Sequence, residues 1–191
     1  PQARHALIGN VRDYLLENGF EGIAIRFSSM ETVNAAHFAV FLRALDAALT
    51  PLDLSVYAVL PAEADLPLAR SVVGLVDAII VEGWGETLAG QQPGPLASQD
   101  WFSGIAAAWQ SAIPAQKLVL ALRNIAYDWP AGSSAQQIST LEALNRARLA
   151  GETVTLDAQA LNTRFAYRDA VGIEHDVWML DAVSTYNQLR T

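Results

Sequence analysis

Residues 22–30 read "GIAIRFSSM", and the interpretation of the whole chain turns on this stretch. Its first four residues are apolar, as expected of a strand buried in a parallel sheet. It follows a segment, 4–18, whose apolar residues recur at helical spacing. We predict a strand over 22–28, although Arg26 and two serines close it with no carboxylate before Glu31. The role of an arginine at the end of such a strand bears directly on function.

Outward from this stretch, apolar strands alternate with amphipathic helices. Further strands are predicted at 54–60, 76–84, 117–127, 153–158 and 165–180, the last with a glycine turn, and further helices at 32–49, 63–73, 98–113, 133–151 and 181–190. Alternation at this spacing predicts parallel β-α-β units, in either an open doubly wound sheet or a (β/α) barrel. No Gly-x-Gly-x-x-Gly motif follows a strand, which disfavours a dinucleotide-binding fold.

The composition is that of an ordinary globular domain. The chain has 191 residues, 52% hydrophobic and 17% charged, which predicts one domain over 1–191. A net charge of −8 disfavours nucleic-acid binding, and the absence of cysteine rules out thiolate metal sites. His5, His37 and His175 lack metal-ligand spacing, so we expect neither a metal nor another cofactor. No apolar run is long enough to span a bilayer, and the first ten residues do not resemble a signal peptide.

Polar and aromatic residues cluster at the predicted carboxyl ends of the strands, where barrel enzymes carry their sites. The groups are Arg26-Phe-Ser-Ser, Pro61-Ala-Glu, Glu82-Gly-Trp-Gly-Glu, Asn124-Ile-Ala-Tyr-Asp-Trp and Val177-Trp-Met-Leu-Asp. Aromatic rings pack against the apolar faces of sugars, and carboxylates accept hydrogen bonds from sugar hydroxyls. This mildly acidic, aromatic rim therefore favours a carbohydrate ligand.

The second half of the chain carries a resemblance to a known family. The matching segments are "PGPLASQDWF" (93–102), "NIAYDWPAG" (124–132), "FAYRDAVGIEHDVW" (165–178) and Trp178-Met-Leu-Asp181-Ala-Val followed by Asn187. They resemble glycoside hydrolase family 18 barrels. They look closest to the family-18-like domain between a family-2 glycosyltransferase and a polysaccharide deacetylase in bacterial fusion proteins, and spore-germination glucosaminidases look more distant. The resemblance covers essentially the whole chain and is weaker over 1–92.

The resemblance also explains the opening stretch. "ENGFEGIAIRFSS" resembles the fourth barrel strand, whose Asp-x-x-Asp-x-Asp-x-Glu motif ends in the general acid. The four motif positions fall on Glu21, Ala24, Arg26 and Ser28, and the Tyr and Asp of a second motif, Met-x-Tyr-Asp, fall on Gly83 and Trp84. Family-18 cleavage is substrate-assisted and needs a proton-donating carboxylic acid. Serine cannot supply that proton and arginine cannot accept a hydrogen bond. The resemblance thus implies a non-catalytic site.

Several side chains keep two interpretations. Arg26 forms a structural ion pair with Glu82 or Asp128, or it contacts an anionic or hydroxylated glycan. Trp178 fits the tryptophan that floors the family's sugar subsite; alternatively, Trp178, Tyr127 and Trp129 are aromatic residues of the hydrophobic core. Glu82 and Asp128 are fallback acids if the chain is an active glycosidase. For Glu82 and Glu86 the default expectation is a solvated loop carboxylate, and the alternative is that one of them is a relocated acid. The predicted substrate-binding residues are Arg26, Trp84, Asn124, Tyr127, Asp128, Trp129 and Trp178.

The resemblance and the chain length also lead to expectations about context. A (β/α)₈ barrel takes about 250 residues, so we predict only the C-terminal part of a barrel, with about five strands. Open sheet edges favour self-association. The implied role is glycan binding or scaffolding outside the cytoplasm, beside flanking catalytic domains of a larger chain. An active glycosidase acting on N-acetylglucosamine-containing polysaccharide and a structural spacer are the alternatives.

Overall fold

The computed structural model describes residues 2–27, 35–87 and 92–190. The chain divides into two compact units, each made of two separate stretches of sequence. The first comprises Pro1–Glu82 and Ala108–Leu120, and the second comprises Gly83–Ala107 and Ala121–Thr191. The expectation of a single domain over 1–191 stays a prediction. Among the described residues, no helix is both long and apolar enough to cross a membrane.

The first unit is built on a parallel sheet in the order β1-β2-β3-β4. Its strands are β1 (Gly22–Ile25), β2 (Ser55–Pro61), β3 (Ala78–Glu82) and β4 (Leu118–Ala121), and its helices are α1 (Gln2–Asn18), α2 (Ala35–Leu49) and α3 (Leu66–Val72). The register places Ile25 opposite Ala58 and Pro61 opposite Glu82. Only glycine fits at position 22, because a Cβ there would lie 2.4 Å from the carbonyl oxygen of Ser55.

Apolar residues of α2, β2 and β3 fill the core of this unit. Those with no exposed surface include Leu42, Leu45, Leu49, Val56, Leu60, Ile79 and Val81. Trp109 is also buried, and its indole N–H donates to the carbonyl oxygen of Ala62 at 2.8 Å. The helix–strand alternation and the parallel pairing agree with the predicted α/β class.

The second unit is built on an antiparallel sheet in the order β6-β5-β9-β8-β7. Its strands are β5 (Ile125–Pro130), β6 (Gln136–Ile138), β7 (Thr155–Leu156), β8 (Thr163–Arg168) and β9 (Glu174–Leu180), and its helices are the N-terminal part of α4 (Gln99–Ala112), α5 (Thr140–Ala150) and α6 (Ala182–Gln188). The predicted hairpin over 165–180 is present as β8 and β9, with Gly172 at a positive φ of 87° in its turn.

Two elements differ from their sequence-based predictions. The strand predicted over 117–127 is two strands in different sheets, since β4 ends at Ala121 and β5 begins only at Ile125. The helix predicted over 133–151 begins only at Thr140. Its N-cap, Ser139, accepts a hydrogen bond from the backbone N–H of Glu142 at 3.1 Å, as in a capping box. The three residues before that cap pair with β5 instead.

Candidate functional site

Arg26 and Glu82 form a two-point ion pair in the first unit. Arg26 follows β1, Glu82 ends β3, and the guanidinium donates to the two carboxylate oxygens at 2.9 and 3.0 Å. The Glu82 side chain is 10% exposed, whereas that of Arg26 is 53% exposed. The hydrogen bonds and charge of Glu82 raise the pKa of Arg26 above its ordinary value. Of the two carboxylates proposed as a structural partner for Arg26, the structure selects Glu82.

This pairing determines what Glu82 can do chemically. A carboxylate that accepts from a guanidinium on both oxygens is an acceptor with no proton to deliver. Glu82 is therefore a poor replacement acid in this conformation, and Arg26 is already engaged. Ser28, the predicted position of the lost general acid, lies outside the described residues.

Asp128 lies on the opposite face of β5 from the aromatic residues, because side chains alternate along a strand. It has no exposed surface and pairs with Arg146 of α5. It also accepts from the Tyr167 hydroxyl at 2.8 Å and lies 2.7 Å from Nδ1 of His175. Burial, followed by the hydrogen bond to Asp128, raises the pKa of Tyr167. The carboxylate is thus buried and engaged by three side chains, and its predicted roles as a glycan contact and as a fallback acid stay predictions.

The other face of the second sheet carries an aromatic cluster. Trp129 of β5 and Trp178 of β9 are buried there together with aliphatic residues. Partly buried rings, those of Trp84, Trp101 and Tyr127, pack against them. The structure therefore brings together four of the predicted site residues, Trp84, Tyr127, Trp129 and Trp178. Trp101 was not predicted, because it lies on a helix and its part in the cluster depends on the tertiary fold.

Arg164 and Asp176 complete this face and were missed by sequence reasoning. The Arg164 guanidinium lies 4.6 Å from the centre of the Trp178 ring and donates to Asp176 at 3.1 Å. Burial raises the pKa of Asp176, against the attraction of Arg164. The buried indole N–H of Trp178 makes no hydrogen bond within the described residues, although it is near enough to Asp176 to favour the ionised carboxylate. Cross-strand register in the predicted hairpin is the signal that pairs Arg164 with Trp178.

An open cleft of about 1170 Å³ lies at one end of this sheet. Its lining includes Trp129 and Asp176 from the aromatic face, Ser133 and Ser134 from the turn after β5, and Gln92 from the preceding loop. This combination of an aromatic side chain with acceptors and hydroxyls is suited to a polyhydroxylated ligand. Asn124, another predicted site residue, is exposed between β4 and β5 and does not line this cleft.

Trp84 and Arg123 form a second arginine–tryptophan stack in the same unit, with 5.3 Å between the guanidinium carbon and the ring centre. Gly83 precedes the tryptophan, and its N–H donates to the carbonyl oxygen of Ala121 at 2.9 Å. A Cβ at position 83 would lie 2.7 Å from the Phe102 ring and 2.8 Å from that oxygen. The position matched by the family's tyrosine therefore has no room for a side chain in this structure.

The loop after Trp84 is held by two polar side chains. Glu86, expected to be solvated, instead accepts from the backbone N–H and hydroxyl of Ser98 at the start of α4. The Asn162 amide is buried, accepts from the N–H groups of Leu96 and Ala97 at 3.0 and 3.1 Å, and donates to the Ala97 carbonyl at 2.7 Å. These bonds fix the backbone beside the aromatic cluster.

Nothing in the described ranges suggests a metal centre. No group of three or more histidine, aspartate or glutamate side chains is placed there to hold an ion. His5 and His37 are exposed on α1 and α2, and His175 is engaged with Asp128.

No protein-family model matches the chain. A curated Bacillus subtilis protein named "Putative sporulation-specific glycosylase YdhD" is 24% identical over 201 residues, covering 100% of this chain and 48% of the relative. The chain thus spans about half the length of the curated relative it matches. The crystal structure of ydhD superposes with a TM-score of 0.89 at 23% identity, over 100% of this chain and 67% of that one.

Other solved structures share the fold at lower identity. A chitinase from Chromobacterium violaceum has a TM-score of 0.85 at 22% identity, over 96% of this chain and 61% of that one. A group IV chitinase of Ostrinia furnacalis, solved with allosamidin, has a TM-score of 0.76 at 17% identity, over 98% of this chain and 64% of that one. The predicted fold class, part of a (β/α)-barrel type of α/β fold, is confirmed by these similarities together with the parallel sheet.

Proposed function

We propose that this chain is a family-18-like domain that binds a glycan and does not cleave it. The carrying observation is the Arg26–Glu82 pair. Where the family motif mounts carboxylates, this chain has a guanidinium that occupies both oxygens of the buried carboxylate at the end of β3. General acid catalysis contributes on the order of 10²–10⁴-fold to rate, so the loss of an available proton donor removes a large part of the catalytic advantage.

Two further features support the absence of cleavage. The backbone approach at Gly83 leaves no space for the tyrosine that the family pattern has at this position. Asp128, the second fallback acid, is buried on the other face of its sheet. Three independent positions thus lack the chemistry that substrate-assisted hydrolysis needs.

Binding is supported by the aromatic face and its cleft. Trp84, Tyr127, Trp129 and Trp178 belong to one aromatic cluster, and Trp129 also lines an opening whose lining includes a carboxylate and two serines. The similar proteins are named as a glycosylase, chitinases and a spore cortex-lytic enzyme. We therefore place the ligand among cell-wall or related bacterial polysaccharides, and the domain outside the cytoplasm. We also propose that transferase and deacetylase domains flank this domain in a larger chain and that this domain scaffolds them.

Titration with the tetramer of N-acetylglucosamine tests the proposal. Binding is followed by tryptophan fluorescence, and cleavage by mass spectrometry of the sugar after prolonged incubation. We expect saturable binding without products. Replacing Trp84 by leucine should weaken binding about tenfold, the scale of one aromatic contact. The matched control is Tyr186→Leu, which removes an exposed ring of α6 that is outside the cluster.

The outcomes separate the alternatives. Products that disappear in Glu82→Gln would show an active glycosidase that uses this residue. Absence of any fluorescence change or heat of binding at millimolar sugar would leave only the role of a structural spacer.

One observation favours a second candidate, a hydrolase that uses Asp176. This carboxyl is partly buried on the aromatic face and its pKa is raised by burial, as a general acid requires. Its ion pair with Arg164 opposes that role. Products formed by the wild-type chain and by Glu82→Gln, but abolished in Asp176→Asn, would establish this candidate.

A further inference from the structure

We infer that Arg123, stacked on Trp84, anchors a carboxylate carried by the bound glycan. The inference rests on the proposed function and deepens it, since it names acidic polysaccharides as the ligand class. It concerns a residue that lies between β4 and β5 and that no sequence pattern had singled out.

The charge environment of Arg123 differs from that of the other partly buried arginines. Three arginines of the described residues are neither exposed nor fully buried: Arg123, Arg146 and Arg164. Arg146 pairs with Asp128 and Glu142, and Arg164 pairs with Asp176. Arg123 has no carboxylate partner within the described ranges. Because a partly desolvated charge is costly without a counter-ion, this guanidinium is the one suited to receive an anion from outside.

The stack of Arg123 on Trp84 combines a charged group with an aromatic ring. The guanidinium carbon lies over the Trp84 ring, 5.3 Å from the ring centre, and the guanidinium carries five N–H donors. Those donors form a planar fork that matches a carboxylate through two parallel hydrogen bonds. Trp84 is only partly buried, so the exposed part of its ring offers an apolar surface to the sugar that carries the carboxylate. One stack thus provides contacts for both the charged and the apolar parts of an acidic sugar.

Backbone hydrogen bonds hold the segments on both sides of the stack. The Gly83 N–H to Ala121 hydrogen bond ties the segment before Trp84 to the segment before Arg123. Beyond the tryptophan, the N–H groups of Gly85 and Glu86 both donate to the Leu96 carbonyl. The backbone on both sides is therefore fixed before a ligand arrives, which lowers the entropy cost of binding.

The first acidic residue after Trp84 in the described sequence, Glu86, makes no ion pair with Arg123. Glu86 lies two residues after Trp84, but both of its oxygens are occupied by Ser98. The chain as a whole carries a net charge of −8, which repels anions at long range. Because charges in solvent are screened beyond about 8 Å at physiological ionic strength, local contacts decide the preference.

Three oligosaccharides of equal length test the inference by calorimetry. One alternates N-acetylglucosamine with glucuronate, the second is the same oligosaccharide with its carboxyl groups reduced to alcohols, and the third is an N-acetylglucosamine oligomer. We expect the carboxylated compound to bind about tenfold or more tightly than its reduced form, as for a charge-assisted hydrogen bond. Arg123→Gln should abolish this preference, and Arg123→Lys should retain part of it.

Arg190→Gln is the matched control. Arg190 also stacks on an aromatic ring, that of Tyr186, but it is exposed on the last turn of the chain. This variant removes the same charge and should leave the preference intact. Circular dichroism and the urea midpoint of each variant confirm that it is folded.

The results distinguish this inference from the proposed function. Equal binding of the carboxylated and reduced compounds, or a preference that survives Arg123→Gln, would overturn the inference and leave glycan binding intact. Failure of all three compounds to bind the wild-type chain would overturn both.

Discussion

Replacing Asp128 by alanine should strongly destabilise the second unit. The carboxylate is fully buried, pairs with Arg146, accepts from Tyr167 at 2.8 Å and lies 2.7 Å from the His175 ring nitrogen. Alanine removes the shared partner of all three side chains. Each then loses an acceptor at a position that has no exposed surface in the wild-type chain.

The magnitude follows from the burial of the pair. Removing one partner of a buried ion pair costs about 3–5 kcal/mol. Arg146 keeps Glu142 as a partner and its side chain is 27% exposed, which favours the lower part of that range. The two other lost hydrogen bonds add about 0.5–1.5 kcal/mol each. We therefore expect a loss of about 4–6 kcal/mol, a large share of the roughly 5–15 kcal/mol that stabilises a typical protein.

Urea unfolding followed by tryptophan fluorescence measures this loss. Trp84, Trp101, Trp129 and Trp178 lie in the second unit, so the signal reports mainly on its unfolding. The matched control is Glu174→Gln, since Glu174 pairs with Arg168 on the same sheet but is 65% exposed. An exposed pair of this kind contributes at most about 1 kcal/mol.

A loss in Asp128→Ala no larger than that in Glu174→Gln would refute the reasoning. It would mean that the buried cluster does not stabilise this sheet relative to the unfolded chain. Asp128→Asn, which keeps the shape and removes the charge, should fall between the two.

Three further predictions concern other parts of the chain. Gly83→Ala should cost about 1–3 kcal/mol in urea unfolding, because its Cβ would overlap the Phe102 ring and the Ala121 carbonyl. Backbone N–H groups, first that of Ala160, lower the pKa of Asp157, so its stabilising contribution is present above about pH 4 and is lost as pH falls through the depressed value; Asp157→Asn should flatten the acid limb of a pH–stability curve. Ile23→Lys, a substitution in the edge strand β1, should reduce self-association of the 191-residue chain in sedimentation velocity experiments.

Each of these predictions has a result that would contradict it. Unchanged stability in Gly83→Ala would show that Phe102 moves aside freely. A wild-type acid limb retained in Asp157→Asn would assign the acid sensitivity to other carboxylates. A wild-type chain that stays monomeric at high concentration would remove the basis for edge pairing.

The sequence predicts most of the fold, because apolar periodicity reports burial directly. It identifies the parallel strands of the first unit and the hairpin of β8 and β9. It fails at 117–127, where one apolar run serves two sheets, since periodicity does not show where a chain changes direction. It also overextends α5 across residues that pair with β5, although the Ser139-to-Glu142 capping pattern marks the true start of the helix.

The site is predicted less completely for a related reason. The Arg26–Glu82 pair joins the ends of β1 and β3, which β2 separates and which the parallel topology brings to the same edge of the sheet. Asp128 adjoins two site aromatics in sequence, yet alternation along β5 turns it to the other face. Arg123 and Arg164 were missed because both depend on tertiary contacts. Each lies over a tryptophan ring, and Arg164 pairs with Asp176 whereas Arg123 has no carboxylate partner among the described residues.

Asn162 has a consequence for how the chain folds during synthesis. Its amide bonds to backbone groups 65 and 66 residues earlier, and each compact unit is assembled from two separate stretches of sequence. Contacts across such separations form slowly, because the chain loses the entropy of closing a long loop before these contacts can stabilise it. On the ribosome, the segment around Leu96 therefore cannot complete its native hydrogen bonds until residue 162 has left the exit tunnel. Arrested chains that end before this point should remain protease-sensitive around Leu96, whereas longer ones should become protected.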